Sequence, residues 1–112
     1  MVLEVTDPCL ESCTAQEELI VAVIGELDFG TAPRLDDELV GLMASAKEVH
    51  LRLDAVTFFD AAGAGALVRA ARVCRARNAR LILEDPSPSV RRILEITGLS
   101  RVLEIRRDAT RL

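Results

Sequence analysis

The sequence predicts an α/β domain: a mixed, mostly parallel sheet of about five strands with helices packed on it, in the order β-β-α-β-α-β-α-β. Three observations lead there. Short apolar runs suited to strands recur along the chain. Segments with apolar residues at helical spacing separate the later ones. Those segments are long enough to carry crossovers between parallel neighbours. At 112 residues the chain is read as a single domain, 1–112, able to bury roughly two-thirds of its unfolded surface.

Leu3 to Thr6 reads as a short first strand, and the polar, turn-prone "DPCLESCTAQ" after it as a loop. Leu19 to Ile24 is apolar throughout and closed by Gly25, as expected of a central strand covered on both faces. The period then changes. Leu35, Leu39, Leu42, Met43 and Ala46 share one helical face, with Thr31 as the cap and Pro33 in the first turn. Asp36, Asp37 and Glu38 are expected at the positive end of that helix's dipole. "EVHLRLD" alternates, with Val49, Leu51 and Leu53 on one side and His50 and Arg52 on a less buried one. A strand ends at Phe59, and the helix beginning near Ala61 buries Leu67, Val68, Ala71 and Cys74, with Arg75 and Arg77 near its negative end. "RLILED" is a further strand. Ser87 then caps a short helix with Pro88 at its first position, Val90, Ile93, Leu94 and Thr97 inward, and Gly98 as its stop. "RVLEI" gives the last strand.

Composition excludes several classes. There is no Trp or Tyr, only three Phe, and a net charge of −4, so neither base stacking nor phosphate-backbone binding is expected. The start, "MVLEVTDPCLES", lacks the basic end and apolar run of a signal peptide, and no stretch approaches the ~20 apolar residues of a membrane span. The expectation is a cytoplasmic protein with no membrane partner. Cys9, Cys13 and Cys74 are three thiols with no His beside them in sequence. Cys9 and Cys13 lack usual zinc spacing, so reduced thiols are expected, Cys74 buried and the others in a loop, with no metal and no cofactor.

Catalytic machinery is missing as well: there is no G-x-S-x-G elbow, no Cys–His pair and no P-loop, so no catalytic residue is assigned. "GAGALV" after a strand, with Glu84 and Asp85 about twenty residues on, imitates a dinucleotide fingerprint. The fingerprint's third glycine falls on Val68, however, and Asp60 would repel a pyrophosphate. Nucleotide binding is the weakest of the readings.

"TFFDAAGAG", residues 57–65, is more telling. A pointed aspartate is followed by a helix start that carries only methyl groups and hydrogens. Asp60 suits a helix cap, and Ala61 and Ala62 are good helix formers. Together with Gly25-Glu26-Leu27-Asp28, then Thr31, and "SPSVRRILEITGL" further on, this segment resembles the bacterial STAS domain and, more narrowly, the anti-sigma-factor antagonists. The likeness runs from Leu19 to Leu103, with three motifs in order.

The resemblance implies the STAS fold and a non-enzymatic protein-binding regulator. Its partner would be an anti-sigma factor, in many family members a serine kinase of histidine-kinase-like fold, whose capture releases a sigma factor. It implies a partner-binding face at Asp28, Thr31, Asp60, Ala61, Ala62 and Gly63. The serine that the kinase phosphorylates falls on Ala61, which has no hydroxyl, so the usual switch would be absent. Two alternatives stay open: a STAS subunit or scaffold of a transporter, lipid-transport or signalling complex, and the nucleotide-binding domain.

Overall fold

The computed structural model describes residues 1–6, 18–42 and 46–107. Six strands, three α-helices and a 3-10 turn follow one another as β1 (Val2–Thr6), β2 (Glu18–Leu27), α1 (Ala32–Leu42), β3 (Glu48–Arg52), β4 (Val56–Phe59), α2 (Ala61–Ala76), β5 (Arg80–Glu84), α3 (Pro88–Ile96), the 3-10 turn Leu99–Arg101 and β6 (Glu104–Arg106). The sheet order is β1-β2-β3-β5-β6, with β4 paired to β2 off this path. Among the described strands, only the β1–β2 pair is antiparallel. This is the mixed, mostly parallel α/β architecture that the sequence predicts.

The strand ending at Phe59 is separate from β3, which brings the count to six. The Val56 amide returns to the Leu53 carbonyl at 3.3 Å and closes a turn between them. β2 is long enough to serve both. Its first half pairs with β3 from Glu18 to Ala22, and its end pairs with β4 from Gly25 to Leu27. The register shifts between Gly25 and Glu26. Gly25 sits there at φ 101°, a left-handed conformation that a side chain would strain.

Side chains alternate across the sheet in register. Leu19, Val49 and Leu81 form one row and Val21, Leu51 and Leu83 the next. These rows share one core with Leu35 and Leu39 of α1, Leu67 and Cys74 of α2, and Val90 and Leu94 of α3. The helices therefore cover one face of the sheet, with α2 in contact with both α1 and α3. The largest of these side chains are fully buried, each worth roughly 1.5–3 kcal/mol relative to exposure. Burial pushes the Cys74 thiol above its ordinary pKa.

Several details differ from the sequence reading. Asp36, Asp37 and Glu38 lie beyond the first turn of α1; Asp36 instead pairs with Arg69 of α2, and Glu38 with Arg34. On α2 the buried stripe runs through Ala64, Ala66, Leu67, Ala70 and Cys74, which leaves Val68 and Ala71 half-buried. Ser87 holds the cap position of α3, yet its hydroxyl makes no capping bond and is buried without a partner among the described residues. Thr97 turns outward and its hydroxyl donates to the Ile93 carbonyl at 2.7 Å. Cys9, Cys13 and Met43 lie outside the described residues.

His50 departs most. The alternation puts it on the less buried face, but it is only 7% exposed. Ile20 and Ile82 flank it in register from β2 and β5. Glu48 and Glu84 close over both ring nitrogens, at 2.9 and 2.7 Å. Burial opposes charge on the ring, but the hydrogen bonds to these two carboxylates outweigh it and hold the imidazole above its ordinary pKa. The same contact holds Glu48 below the usual carboxylate value.

Candidate functional site

β2 and β4 run parallel and end side by side, Leu27 against Phe59. Each passes directly into a turn and then a helix. The β2–α1 turn and the start of α2 are thus brought together at one end of the sheet, where α/β proteins commonly present their binding groups.

Asp60 joins the two. It is the N-cap of α2, extended at φ −133° and ψ −171°, and its Oδ1 accepts from the Gly63 amide at 3.1 Å. That satisfies one of the orphan donors of the first helical turn. Its Oδ2 accepts from the Phe29 amide at 3.3 Å, across to the other turn. One carboxylate therefore caps a helix and anchors a loop 31 residues earlier in the chain.

The β2–α1 turn is fixed from within by Asp28. Its Oδ1 accepts from the amides of Gly30 and Thr31, at 3.0 and 3.1 Å, and its carbonyl accepts from the Ala32 amide at 2.8 Å. Thr31 stands at the cap position of α1, with its carbonyl accepting from Leu35. Its hydroxyl does not cap the helix, contrary to the sequence reading. It accepts from the Asp28 amide and donates to the Glu26 carbonyl, both at 2.9 Å. The Asp28 carboxylate orders the turn ahead of the helix, while the Arg34 amide that a Thr31 side-chain cap would satisfy bonds to the Thr31 carbonyl at 3.1 Å.

The start of α2 is pressed against this turn. A Cβ on Gly63 would overlap the Leu27 carbonyl oxygen and lie 2.9 Å from Cδ1 and Cε1 of Phe59, so only glycine fits. With the helix so close, Ala61 is exposed and Ala62 half-buried at the rim. Phe29, Ala32, Pro33, Ala61, Ala62 and Gly65 line a shallow groove of about 310 Å³, with Arg69 at its edge.

All six residues singled out from the sequence, Asp28, Thr31, Asp60, Ala61, Ala62 and Gly63, thus belong to this one end of the molecule. Two neighbours escaped the sequence reading. Phe29 is 83% exposed at the tip of the turn, and Phe58 is 51% exposed on β4 opposite Glu26. An exposed large apolar side chain is a stronger signal than a buried one. A chain with three Phe that sets one in a turn and leaves another on the outer side of a strand carried that signal. The face offers Phe rings, methyl groups and carboxylates already engaged with amides. That chemistry suits a protein surface. Among the described residues, the side chains grouped closely enough to hold a metal lie elsewhere, at Glu18, Glu48 and His50 on the helix-free face.

The STAS-domain family matches residues 4–110 of the sequence. An anti-sigma-B factor antagonist of Listeria monocytogenes is 36% identical over 93 residues, covering 80% of this chain and 80% of that protein. Among solved structures, the anti-sigma factor antagonist SpoIIAA in its unphosphorylated form superposes with a TM-score of 0.75 at 19% identity, over 97% of this chain and 91% of that one. A sulfate transporter family protein from Wolinella succinogenes gives 0.71 at 27% identity, over 92% and 88%. No helix among the described residues is long and apolar enough to cross a membrane. The chain belongs to the STAS-domain family, among relatives named as anti-sigma factor antagonists.

Proposed function

We propose that this protein is a non-enzymatic, cytoplasmic antagonist of an anti-sigma factor, which it binds through the end of the sheet where the β2–α1 turn meets α2. The observation that carries the reading is Ala61. It is exposed in the first turn of α2, next to the Asp60 cap, at the position where the family resemblance puts a phosphorylated serine. A phosphate there would add about −1.5 to −2 charges beside the Asp60 carboxylate and repel a docked partner. Alanine accepts none, so the surface stays in its unphosphorylated form even when the partner is a serine kinase. Asp28, Thr31, Asp60, Ala61 and Ala62 form the contact, buried Gly63 sets the start of α2 against the turn beneath it, and Phe29 and Phe58 add apolar area.

Ala61→Glu tests it. An acid in the first helical turn favours the helix by roughly 0.3–1 kcal/mol, so the fold survives. A carboxylate desolvated at an interface costs several kcal/mol, so binding falls. Ala61→Ser binds as the parent does and loses affinity only with an active partner kinase and ATP. Affinity for the anti-sigma factor by titration calorimetry, with folding checked by circular dichroism, reads both. If folded Ala61→Glu binds as tightly as the parent, the surface lies elsewhere.

The likeness to the sulfate transporter family protein favours a second reading, a STAS subunit of a transporter assembly. Recovery of a transporter, with no anti-sigma factor, in co-purification from the native host would select it.

A further inference from the structure

The helix-free face of the sheet carries an arrangement that the proposed partner surface does not use. Glu18 and Glu48 stand directly opposite in the parallel register of β2 and β3, and His50 follows two residues after Glu48 on the same side of β3. One ligand atom from each of these three residues lies within 4.8 Å of the others. We propose that Glu18, Glu48 and His50 form a binding site for a divalent transition-metal ion, with zinc as the probe.

The buried imidazole carries the argument. Its Nδ1 is 2.7 Å from Glu84 Oε2, and a carboxylate there fixes the proton on Nδ1. Nε2 meets the Glu48 carboxylate at 2.9 Å, where in the metal-free protein a shared proton joins the two. A divalent cation takes the place of that proton, which leaves to solvent, and gains both atoms as ligands. A carboxylate behind the distal nitrogen of a ligating histidine is the common support of protein metal sites. Glu48 is supported likewise: its other oxygen, Oε2, receives Arg80 Nη1 at 3.2 Å, which leaves Oε1 to ligate.

Glu18 supplies the third ligand. It faces Glu48 in register, forms no ion pair with an Arg or Lys among the described residues and is hydrogen-bonded to Glu48, so a second carboxyl group is held at the same point. One imidazole and two carboxylates suit zinc and its neighbours, with water completing the tetrahedron. Ligands at ~2.0–2.2 Å from the ion stand roughly 3.3–3.5 Å apart, so Glu48 Oε1 must back away slightly from its 2.9 Å contact with Nε2, while every ligand atom starts within 4.8 Å of the others. Bound there, the ion bridges β2 and β3 at the end of the sheet away from the partner surface.

Thiols also bind zinc, so the test uses the full chain with Cys9→Ser and Cys13→Ser, stripped with EDTA and then desalted. Zinc is titrated at pH 8 against a chromophoric chelator, and thermal unfolding is followed in parallel. The expected result is binding at one ion per chain and a rise in Tm of roughly 5–10 °C near a hundredfold excess over Kd. Glu18→Gln weakens binding at least about tenfold. Glu84→Gln, which removes no ligand, weakens it by about 10–100-fold. Absence of stoichiometric binding in this protein overturns the proposal, as does binding that Glu18→Gln leaves unchanged.

Discussion

Two glycines in the first turns of α2 should respond oppositely to the same change. Gly63→Ala puts a Cβ into the Leu27 carbonyl oxygen and 2.9 Å from two carbons of the Phe59 ring. Neither neighbour can yield cheaply. The carbonyl belongs to the last residue of β2, and Phe59 is 5% exposed. Overpacking of this kind costs about 1–3 kcal/mol, and the methyl group recovers at most ~1 kcal/mol in helix propensity. Gly65→Ala meets only Arg69 Nη1 at 3.3 Å, the far end of a side chain 52% exposed, which swings aside. There the propensity gain of ~0.5–1 kcal/mol survives. The propensity gain is common to both, so the two variants should differ by the overpacking cost of about 1–3 kcal/mol, or roughly 5–15 °C in Tm, with Gly63→Ala below the parent and Gly65→Ala above it. Urea unfolding followed by circular dichroism measures both, and m should stay constant. A Gly63→Ala protein as stable as the parent would refute the close-approach argument.

Asp60→Ala removes a helix cap and the anchor on Phe29, so it should cost about 1–2 kcal/mol in urea unfolding and weaken binding of the proposed anti-sigma partner more than that loss of folded protein explains. Phe29→Ala, at a residue 83% exposed, should leave Tm unchanged within a degree or two while lowering partner affinity by at least about fivefold; a surface plasmon resonance series including Phe58→Ala checks this. In EDTA-treated protein, His50 should make stability depend on pH. Its folded pKa is raised, because Glu48 and Glu84 hydrogen bonds outweigh burial, while Glu18 and Arg80 also face the cluster. Its contribution is therefore complete below about pH 6.5 and is lost as pH rises through the folded value. Glu48, held below its ordinary value, acts in the opposite direction, with its contribution lost as pH falls below about 4.5. Urea midpoints across pH 4–9 should fall on the alkaline side for the parent and flatten there in His50→Gln.

Local chemistry was legible wherever neighbours in sequence decide it. The apolar run from Leu19 to Ile24 announced β2, the change of period after Thr31 announced α1, and Asp60 before two alanines announced the capped start of α2. What escaped is settled by distant segments. The break between β3 and β4 falls at Asp54 and Ala55, without the Gly or Pro that marks most turns. The cover on His50 comes from Ile20 and Ile82, some thirty residues to either side. The second bond of Asp60, to the Phe29 amide, spans 31 residues and has no signature in either stretch. Thr31 and Ser87 show a subtler failure. Both hold cap positions, but which hydroxyl finds an amide depends on the path of the preceding turn, and in both the backbone turned elsewhere.

The surface around Asp60 has no continuous stretch of chain to itself. Half of it arrives with β2 and half with β4, and a single carboxylate holds the halves together. No excised peptide reproduces it, and a chain that loosens at the end of β2 loses it all at once. On the proposed reading, with no hydroxyl at residue 61, the cell has no local brake on this surface. Dosage becomes the control: synthesis and proteolysis set how much antagonist is present, and the signal lasts as long as the folded chain does.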